Sequence, residues 1–111
     1  MTMLEGAVAL VTGASRGIGQ AIVRELGRQG ATVIGTATTA AGAEAITEDL
    51  RARALKGCGL RLDVTDPAAV DAVVKTVTQE FGAPGILVNN AGVTRDNLLL
   101  RMKEEEWTTV L

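Results

Sequence analysis

Short apolar runs alternate with longer segments of helical periodicity along the chain. Residues 7–11 form a continuous apolar run, which is typical of a strand buried on both faces of a sheet. Residues 31–36, 59–62 and 85–88 predict three further strands, each preceded by a segment with helical spacing. Alternation of this kind favours an α/β fold, in which right-handed crossovers produce a parallel sheet with helices on both faces.

Three helices are predicted between these strands from their apolar faces and end signals. Gly30 and Gly82 end the first and third helices, because glycine readily adopts the left-handed cap conformation. Asp66 followed by Pro67 begins the third helix, since Asp caps free N–H groups and Pro tolerates the first turn. The predicted faces comprise Ile18, Ala21, Ile22 and Leu26 in the first helix, interrupted by Glu25; Ala43, Ile46 and Leu50 in the second; and Val70, Val73, Val74, Val77 and Phe81 in the third.

The last ten residues predict the opening of a fourth helix. Glu104, Glu105 and Glu106 lie near its start, where the helix dipole favours acidic side chains. With no further strand predicted, the fourth strand is expected to be an apolar edge at residues 86–88. Such an edge invites pairing with another chain, so we expect the isolated chain to be prone to aggregation.

A glycine-rich turn lies between the first strand and the first helix. Its spacing is Gly13-x-x-x-Gly17-x-Gly19. The first glycine permits a tight turn, the second lets backbone approach a pyrophosphate, and the third lets the helix pack closely on the sheet. The strand before it and the helix after it are the context that a dinucleotide-binding motif requires. We therefore expect phosphates to bind the free N–H groups at the start of this helix.

The second strand indicates which dinucleotide binds. Proteins that bind NAD usually end this strand with an acidic residue that holds the ribose 2′-hydroxyl. Here small hydroxyl residues, Thr36, Thr38 and Thr39, lie at that position, and the first acid is Glu44. With Arg16 in the glycine loop as a positive partner for a 2′-phosphate, the sequence favours NADP(H).

Composition and charge exclude several classes of function. The net charge is −2 with no basic stripe, which argues against a nucleic-acid partner. No apolar run approaches the ~18 residues of a membrane span. The single cysteine, Cys58, cannot form an internal disulfide, which fits a cytoplasmic protein. The chain has no His and no Tyr, so two common catalytic acid–base groups are missing, and no metal site is predicted.

Three motifs together resemble the short-chain dehydrogenase/reductase family. They are the glycine pattern TGxxxGxG at residues 12–19, Asp63-Val64 after the third strand, and the NNAG motif at residues 89–92. The resemblance runs along the whole chain. It is closer still to bacterial members that reduce 3-oxoacyl groups on acyl-carrier protein, on the stretches LVTGASRGIGQAI, VIGTATT, LDVTDP, ILVNNAGVTRDNLLLRMK and EEEW.

The resemblance implies a Rossmann-type doubly wound sheet of about four strands, in the order 3-2-1-4, with flanking helices. It implies that residues 1–111 are the NADP-binding N-terminal half of a single domain. The family's catalytic Ser, Tyr and Lys are absent, so we expect no catalytic residue and no turnover in this chain alone. The intact protein is expected to be a cytoplasmic homotetramer. The implied cofactor-binding residues are Gly13, Ala14, Ser15, Arg16, Gly17, Ile18, Gly19, Thr38, Asp63, Val64, Asn90, Ala91 and Gly92.

Alternatives of two classes stay open at this point. A reductase of acetoacetyl-CoA or of another small carbonyl compound would share the same cofactor motifs. A non-catalytic nucleotide-binding or interaction module that ends at Leu111 would explain the missing Tyr. The chain stops inside a predicted helix without a cap, which favours an incomplete version of a longer reductase.

Overall fold

A computed structural model describes residues 3–90, 98–103 and 106–110. The helices and strands alternate over the first 89 residues, as the hydrophobic pattern predicts. The elements are β1 (Val8–Val11), α1 (Gly17–Arg28), β2 (Thr32–Ala37), α2 (Ala40–Ala52), β3 (Gly57–Arg61), α3 (Pro67–Glu80), β4 (Ile86–Asn89), β5 (Leu98–Lys103) and β6 (Glu106–Val110).

The first four strands form a parallel sheet in the order β3-β2-β1-β4. In the centre of the sheet, Leu10 pairs with Ile34 of β2 on one side and with Leu87 of β4 on the other. The α/β class, the strand order and the flanking helices predicted from the sequence are therefore confirmed. Because all four strands run in the same direction, the loops that follow them meet at one edge of the sheet.

The prediction for the last part of the chain is wrong. Instead of a helix over residues 102–111, the structure has β5, which pairs antiparallel with β4, and β6, which pairs antiparallel with β5. Strand β4 is consequently not an edge. The segment Glu106–Val110 contains Trp107, Thr108, Thr109 and Val110, residue types that favour strands over helices. Pairing also satisfies the backbone groups that the open side of β4 would expose.

Two apolar cores lie on opposite faces of the sheet. On the side of α1 and α2, Val11 and Val33 pack with Val23 and Ile46, and all are nearly fully buried. On the α3 side, Leu10 and Ile34 pack with Val77. Successive strand residues alternate between these two cores, which is why the strands read as continuous apolar runs.

The buried face of α1 agrees only in part with the predicted one, since Ile22 and Leu26 pack against the core as predicted. It is centred on Gly19, Val23 and Gly27, whereas Ile18 is 54% exposed. The hydrophobic pattern missed two of these positions, Gly19 and Gly27, because glycine has no side chain and does not count as apolar. A Cβ at Gly27 would lie 2.9 Å from a methyl carbon of Leu55, so the absence of a side chain sets how closely the helix packs.

The predicted ends of the helices are confirmed. Gly30 and Gly82 have φ values of 99° and 112° just after α1 and α3, a conformation that costs glycine little. Asp66 accepts hydrogen bonds from the amides of Ala68 and Ala69, with Pro67 in the first turn. These signals are local, so they do not depend on tertiary packing.

The apolar stripe predicted on α3 is buried only in part. Val77 is fully buried, but Val74 and Phe81 are 36% and 37% exposed. Val70 and Val74 border a cavity of about 230 Å³ between α3 and the sheet, so they lack the contacts that would bury them completely. In the described residues no helix is long and apolar enough to cross a membrane.

Candidate functional site

The glycine loop follows β1 at the edge where the parallel strands end. Gly13 and Gly17 both have φ values of 62°, a backbone conformation that residues other than glycine adopt only with strain. Between them, the buried Ala14 donates its amide to the carbonyl of Thr36 at 2.8 Å. This hydrogen bond attaches the loop to β2 and so helps to fix the position of the loop at the edge of the sheet.

Gly19 allows the first turn of α1 to lie directly against the loop. A Cβ at this position would overlap the carbonyl oxygen of Gly13 and would come within 2.9 Å of the side-chain nitrogen of Asn90. That nitrogen donates a hydrogen bond to the Gly13 carbonyl at 3.1 Å. The helix, the loop and the end of β4 therefore meet at the Gly13 carbonyl, and only glycine fits at position 19.

The N-terminus of α1 is arranged to receive an anion. Arg16 is the N-cap residue, its side chain makes no capping hydrogen bond, and the first turn contains no acidic residue. Apart from its chain neighbours and the backbone of its own helix, no described atom lies within 4 Å of where a Cβ of Gly17 would be, so this side of the backbone is open. Backbone N–H groups at such a helix end, together with the helix dipole, favour a phosphate group.

The three threonines near the end of the second strand have different environments. Thr36 lies within β2 and is only 1% exposed, so its hydroxyl does not reach a ligand at the surface, contrary to the expectation for this position. Thr39 caps α2 by accepting the amide of Gly42 at 3.0 Å. Thr38 is exposed, and its carbonyl accepts a hydrogen bond from Nε of Arg61 at 3.2 Å.

Asp63 lies beyond the end of β3 in a tight turn. Its Oδ1 accepts hydrogen bonds from the hydroxyl and the amide of Thr65, at 2.6 and 3.0 Å. These bonds, with a smaller contribution from the positive charge of Arg61, lower the pKa of the Asp63 carboxyl. Asp63 is therefore an ionised acceptor at neutral pH, whereas Val64 is half-buried and borders the cavity beneath α3.

The end of β4 is joined to β1 through side chains. The hydroxyl of Thr12 donates to Oδ1 of Asn89 at 3.1 Å and accepts the amide of Asn90 at 2.9 Å. Asn89 thus connects the two central strands, and Asn90 supports the glycine loop. Ala91 and Gly92, which the motif also implicates, lie outside the described residues.

The structure brings most of the sequence-predicted site residues to one edge of the sheet. The loops after β1, β2, β3 and β4 carry Arg16, Thr38, Asp63 and Asn90, respectively. Sequence reasoning missed Arg61 and Thr12. Thr12 belongs to the glycine motif, so its position could have drawn attention, but its link to Asn89 and Asn90 depends on strands that are 77 residues apart.

Comparison with known proteins decides the family. A family model described as short chain dehydrogenase matches residues 7–111, almost the whole chain. The chain belongs to the short-chain dehydrogenase family. The resemblance of this sequence to the short-chain dehydrogenase family is therefore confirmed.

Similar proteins include curated reductases from several bacteria. The chain is 61% identical over 108 residues to the 3-oxoacyl-[acyl-carrier-protein] reductase FabG of Pseudomonas aeruginosa, covering 97% of this chain and 44% of that protein. It is 59% identical over 108 residues to the Vibrio cholerae FabG, covering 97% and 43%. For the Escherichia coli FabG the identity is 58% over 107 residues, covering 96% and 43%. The chain thus spans a little under half the length of these relatives.

Proposed function

We propose that this chain is the NADP(H)-binding half of a single Rossmann-type domain in a 3-oxoacyl-[acyl-carrier-protein] reductase. The whole protein would reduce a 3-oxoacyl thioester to the 3-hydroxyacyl form in fatty-acid biosynthesis. Identities of 58–61% to reductases with that name support the substrate class. Because the chain spans less than half of each relative, the reaction is proposed for the whole protein.

One observation carries the cofactor proposal: the N-terminus of α1 is open and has no acidic residue in its first turn. The pyrophosphate of a dinucleotide would bind there through the amides of Gly17, Ile18 and Gly19. The loop and helix fit this group, because Gly17 leaves open space and Gly19 brings the helix against Gly13. A phosphate needs these features, since its oxygens accept hydrogen bonds directly from backbone N–H groups.

The adenosine half of the cofactor would lie across the ends of β2 and β3. The ends of these strands present Thr38 and Asp63, both exposed. A carboxylate at Asp63 would accept a hydrogen bond from the exocyclic amine of adenine, with Val64 beside the ring. The exposed Thr38 and Arg16 would contact the 2′-phosphate, and no carboxylate follows Thr38 until Glu44. This balance of charge favours NADP(H) over NAD(H).

On the nicotinamide side, the protein's role is to support the ribose and the ring. Asn90, Ala91 and Gly92 would pass beneath the nicotinamide ribose, where small residues allow contact with backbone. NADPH supplies the hydride for the reduction, and protein groups orient it and provide the proton. With no Tyr and no His, the 111 residues contain no evident proton donor of the family type. We therefore expect this chain alone to bind cofactor without turnover.

The proposal extends to the setting of the whole protein. The names of the relatives specify acyl-carrier protein, so we propose a cytoplasmic enzyme acting on acyl groups bound to that carrier. By the same family resemblance, the whole protein is proposed to be a homotetramer. The alternative is a reductase of acyl-CoA or of another small carbonyl compound. A comparison of substrates would distinguish it from the proposed enzyme.

Cofactor choice is tested by titrating the chain with NADPH and with NADH in a calorimeter. We expect NADPH to bind more tightly than NADH. Arg16→Met should weaken the binding of NADPH about tenfold and change the binding of NADH little, because only NADPH carries the 2′-phosphate. Arg28→Met is the matched control, since Arg28 is an exposed arginine at the other end of α1. Equal affinity for the two cofactors would refute the NADP(H) assignment.

The substrate is tested separately with the whole protein. Its rate of NADPH oxidation is compared for acetoacetyl-acyl-carrier-protein and acetoacetyl-CoA. A higher kcat/KM for the carrier-bound substrate is expected. A preference for the CoA thioester would replace the proposed activity with the alternative reductase.

A further inference from the structure

Arg61 is the last residue of β3 and lies beside the end of β2. In the parallel register it pairs with Ala37, the last residue of β2. Its Nε donates a hydrogen bond to the carbonyl of Thr38 at 3.2 Å. The guanidinium is thus attached to the backbone at the position where, in dinucleotide-binding sheets, the second strand meets the adenosine ribose.

The rest of the guanidinium has no partner among the described residues. No ion pair or other hydrogen bond of Arg61 is found there, although Arg24, Arg28, Arg53 and Lys56 all pair with carboxylates. The carboxylate of Asp63 lies near enough to attract Arg61 electrostatically, but no hydrogen bond or ion pair joins the two side chains. Both terminal nitrogens of Arg61 therefore remain available for an external anion.

Sheet order places a second cation on the other side of β2. The strands run β3-β2-β1, so Arg61 at the end of β3 and Arg16 in the loop after β1 flank the end of β2 from opposite sides. Thr38, exposed at the end of β2, lies between them along the sheet edge. A phosphate monoester bound there would be approached by two guanidinium groups; no carboxylate lies in the β2–α2 loop, and that of Asp63 lies on the Arg61 side of the site.

We propose that Arg61 recognises the 2′-phosphate of NADP(H) as a second specificity-determining cation, held in place by the carbonyl of Thr38. The inference rests on the proposed cofactor and adds a residue to it. Arginine suits this task because a guanidinium anchored through Nε still presents its two terminal nitrogens to phosphate oxygens. Lysine in its place would retain the charge but could not make both contacts in fixed geometry.

The test titrates the full chain with NADPH and NADH and compares three variants. Arg61→Met is expected to raise the Kd for NADPH about tenfold and to change the Kd for NADH less than about twofold, since the lost interaction is a charge-assisted hydrogen bond. Arg61→Lys is expected to give an intermediate Kd for NADPH. Arg51→Met, which removes an exposed arginine from the far end of α2, is the control and should leave both constants unchanged.

The outcomes separate this inference from the proposed cofactor. If the unmodified chain prefers NADPH and Arg61→Met keeps that preference, Arg61 has no role in specificity and only the inference falls. Equal loss of NADPH and NADH affinity in Arg61→Met, with or without a lower melting temperature, would also overturn it. If the unmodified chain itself shows no preference for NADPH, both the inference and the NADP(H) assignment fail.

Discussion

The side-chain amide of Asn90 donates to the carbonyl of Gly13 across 3.1 Å. This bond joins the end of β4 to the glycine loop, although the two residues are 77 positions apart in sequence. The backbone amide of Asn90 is held in turn by the hydroxyl of Thr12. The loop that would receive the phosphates is therefore positioned by the last parallel strand as well as by the first.

Replacing Asn90 with Ala is expected to weaken both the fold and cofactor binding. The half-buried Gly13 carbonyl would lose its partner, which costs about 1–2 kcal/mol of unfolding free energy. Chemical denaturation and a calorimetric titration with NADPH measure the two effects. Gln79→Ala, which removes an exposed amide on α3, is the control and should change neither. Unchanged NADPH affinity in a folded Asn90→Ala variant would show that this bond does not organise the loop.

Gly19→Ala should disrupt the site sterically. The added methyl group would overlap the Gly13 carbonyl oxygen, and the helix would have to move away from the loop, at a cost of about 1–3 kcal/mol. The expected result is a lower melting temperature and loss of NADPH binding.

Gly85→Ala provides the matched control for that substitution. Apart from its two chain neighbours, no described residue has an atom within 4 Å of the place that its methyl group would occupy, and its φ is not in the left-handed region. The stability of this variant should therefore stay the same or rise by up to about 1 kcal/mol, because alanine restricts the unfolded chain. Equal melting temperatures for the two alanine variants would contradict the close packing inferred at Gly19.

Two buried threonines are expected to respond in opposite directions to the change to valine. Thr36 Oγ1 is buried and has no hydrogen-bond partner among the described residues, whereas Thr12 Oγ1 bonds to both Asn89 and Asn90. Thr36→Val should raise the free energy of unfolding by about 1 kcal/mol, and Thr12→Val should lower it by about 1–2 kcal/mol. Urea denaturation measures both. Similar destabilisation by the two substitutions would mean that the Thr36 hydroxyl has a partner after all.

The contact between α1 and α2 should depend on pH. Nε and Nη2 of Arg24 bond to the two carboxylate oxygens of Asp49 at 3.0 and 2.8 Å, and Arg53 adds a third bond. The hydrogen bonds from Arg24, above all, lower the pKa of the Asp49 carboxyl. Because the pKa of Asp49 is lower in the folded state, its ionised form stabilises the fold at pH values above the unfolded-state pKa of about 3.9. This stabilisation is lost as the pH falls through the folded-state pKa.

Arg24→Met should therefore lower the melting temperature at pH 7 by about 3 °C, with the difference from the unmodified chain shrinking below about pH 4. Arg28→Met is the control, because the Arg28–Glu25 pair is exposed and lies within one helix. It should change the melting temperature very little. A difference for Arg24→Met that persists undiminished at low pH would show that packing of the arginine stem, and not the ion pair, stabilises the contact.

Sequence patterns predicted the elements that depend on local signals. Asp66-Pro67 and Gly82 mark the ends of α3 through residue chemistry alone, and the apolar runs identify strands buried on both faces. The glycine loop was found for the same reason, since Gly13, Gly17 and Gly19 are needed by the backbone at fixed spacing. The family resemblance supplied the strand order.

Features that depend on tertiary pairing were not predictable in this way. The segment Glu106–Val110 begins with an acid that suits a helix start, but it pairs with β5, and this depends on the open side of β4. Likewise, nothing local marks Thr36 as buried or Arg61 as a neighbour of Thr38, because both depend on the register of β2 against its neighbours. The sequence shows only that Arg61 is an arginine near the end of the predicted third strand.

Binding of NADPH at the glycine loop is tested most directly by a crystal structure of the chain soaked with NADPH. We predict pyrophosphate oxygens about 3 Å from the amide nitrogens of Gly17, Ile18 and Gly19, with the 2′-phosphate in contact with Arg16 and Thr38. Nucleotide bound elsewhere, for example in the cavity beneath α3, or a glycine loop that carries no phosphate at saturating NADPH, would contradict this prediction.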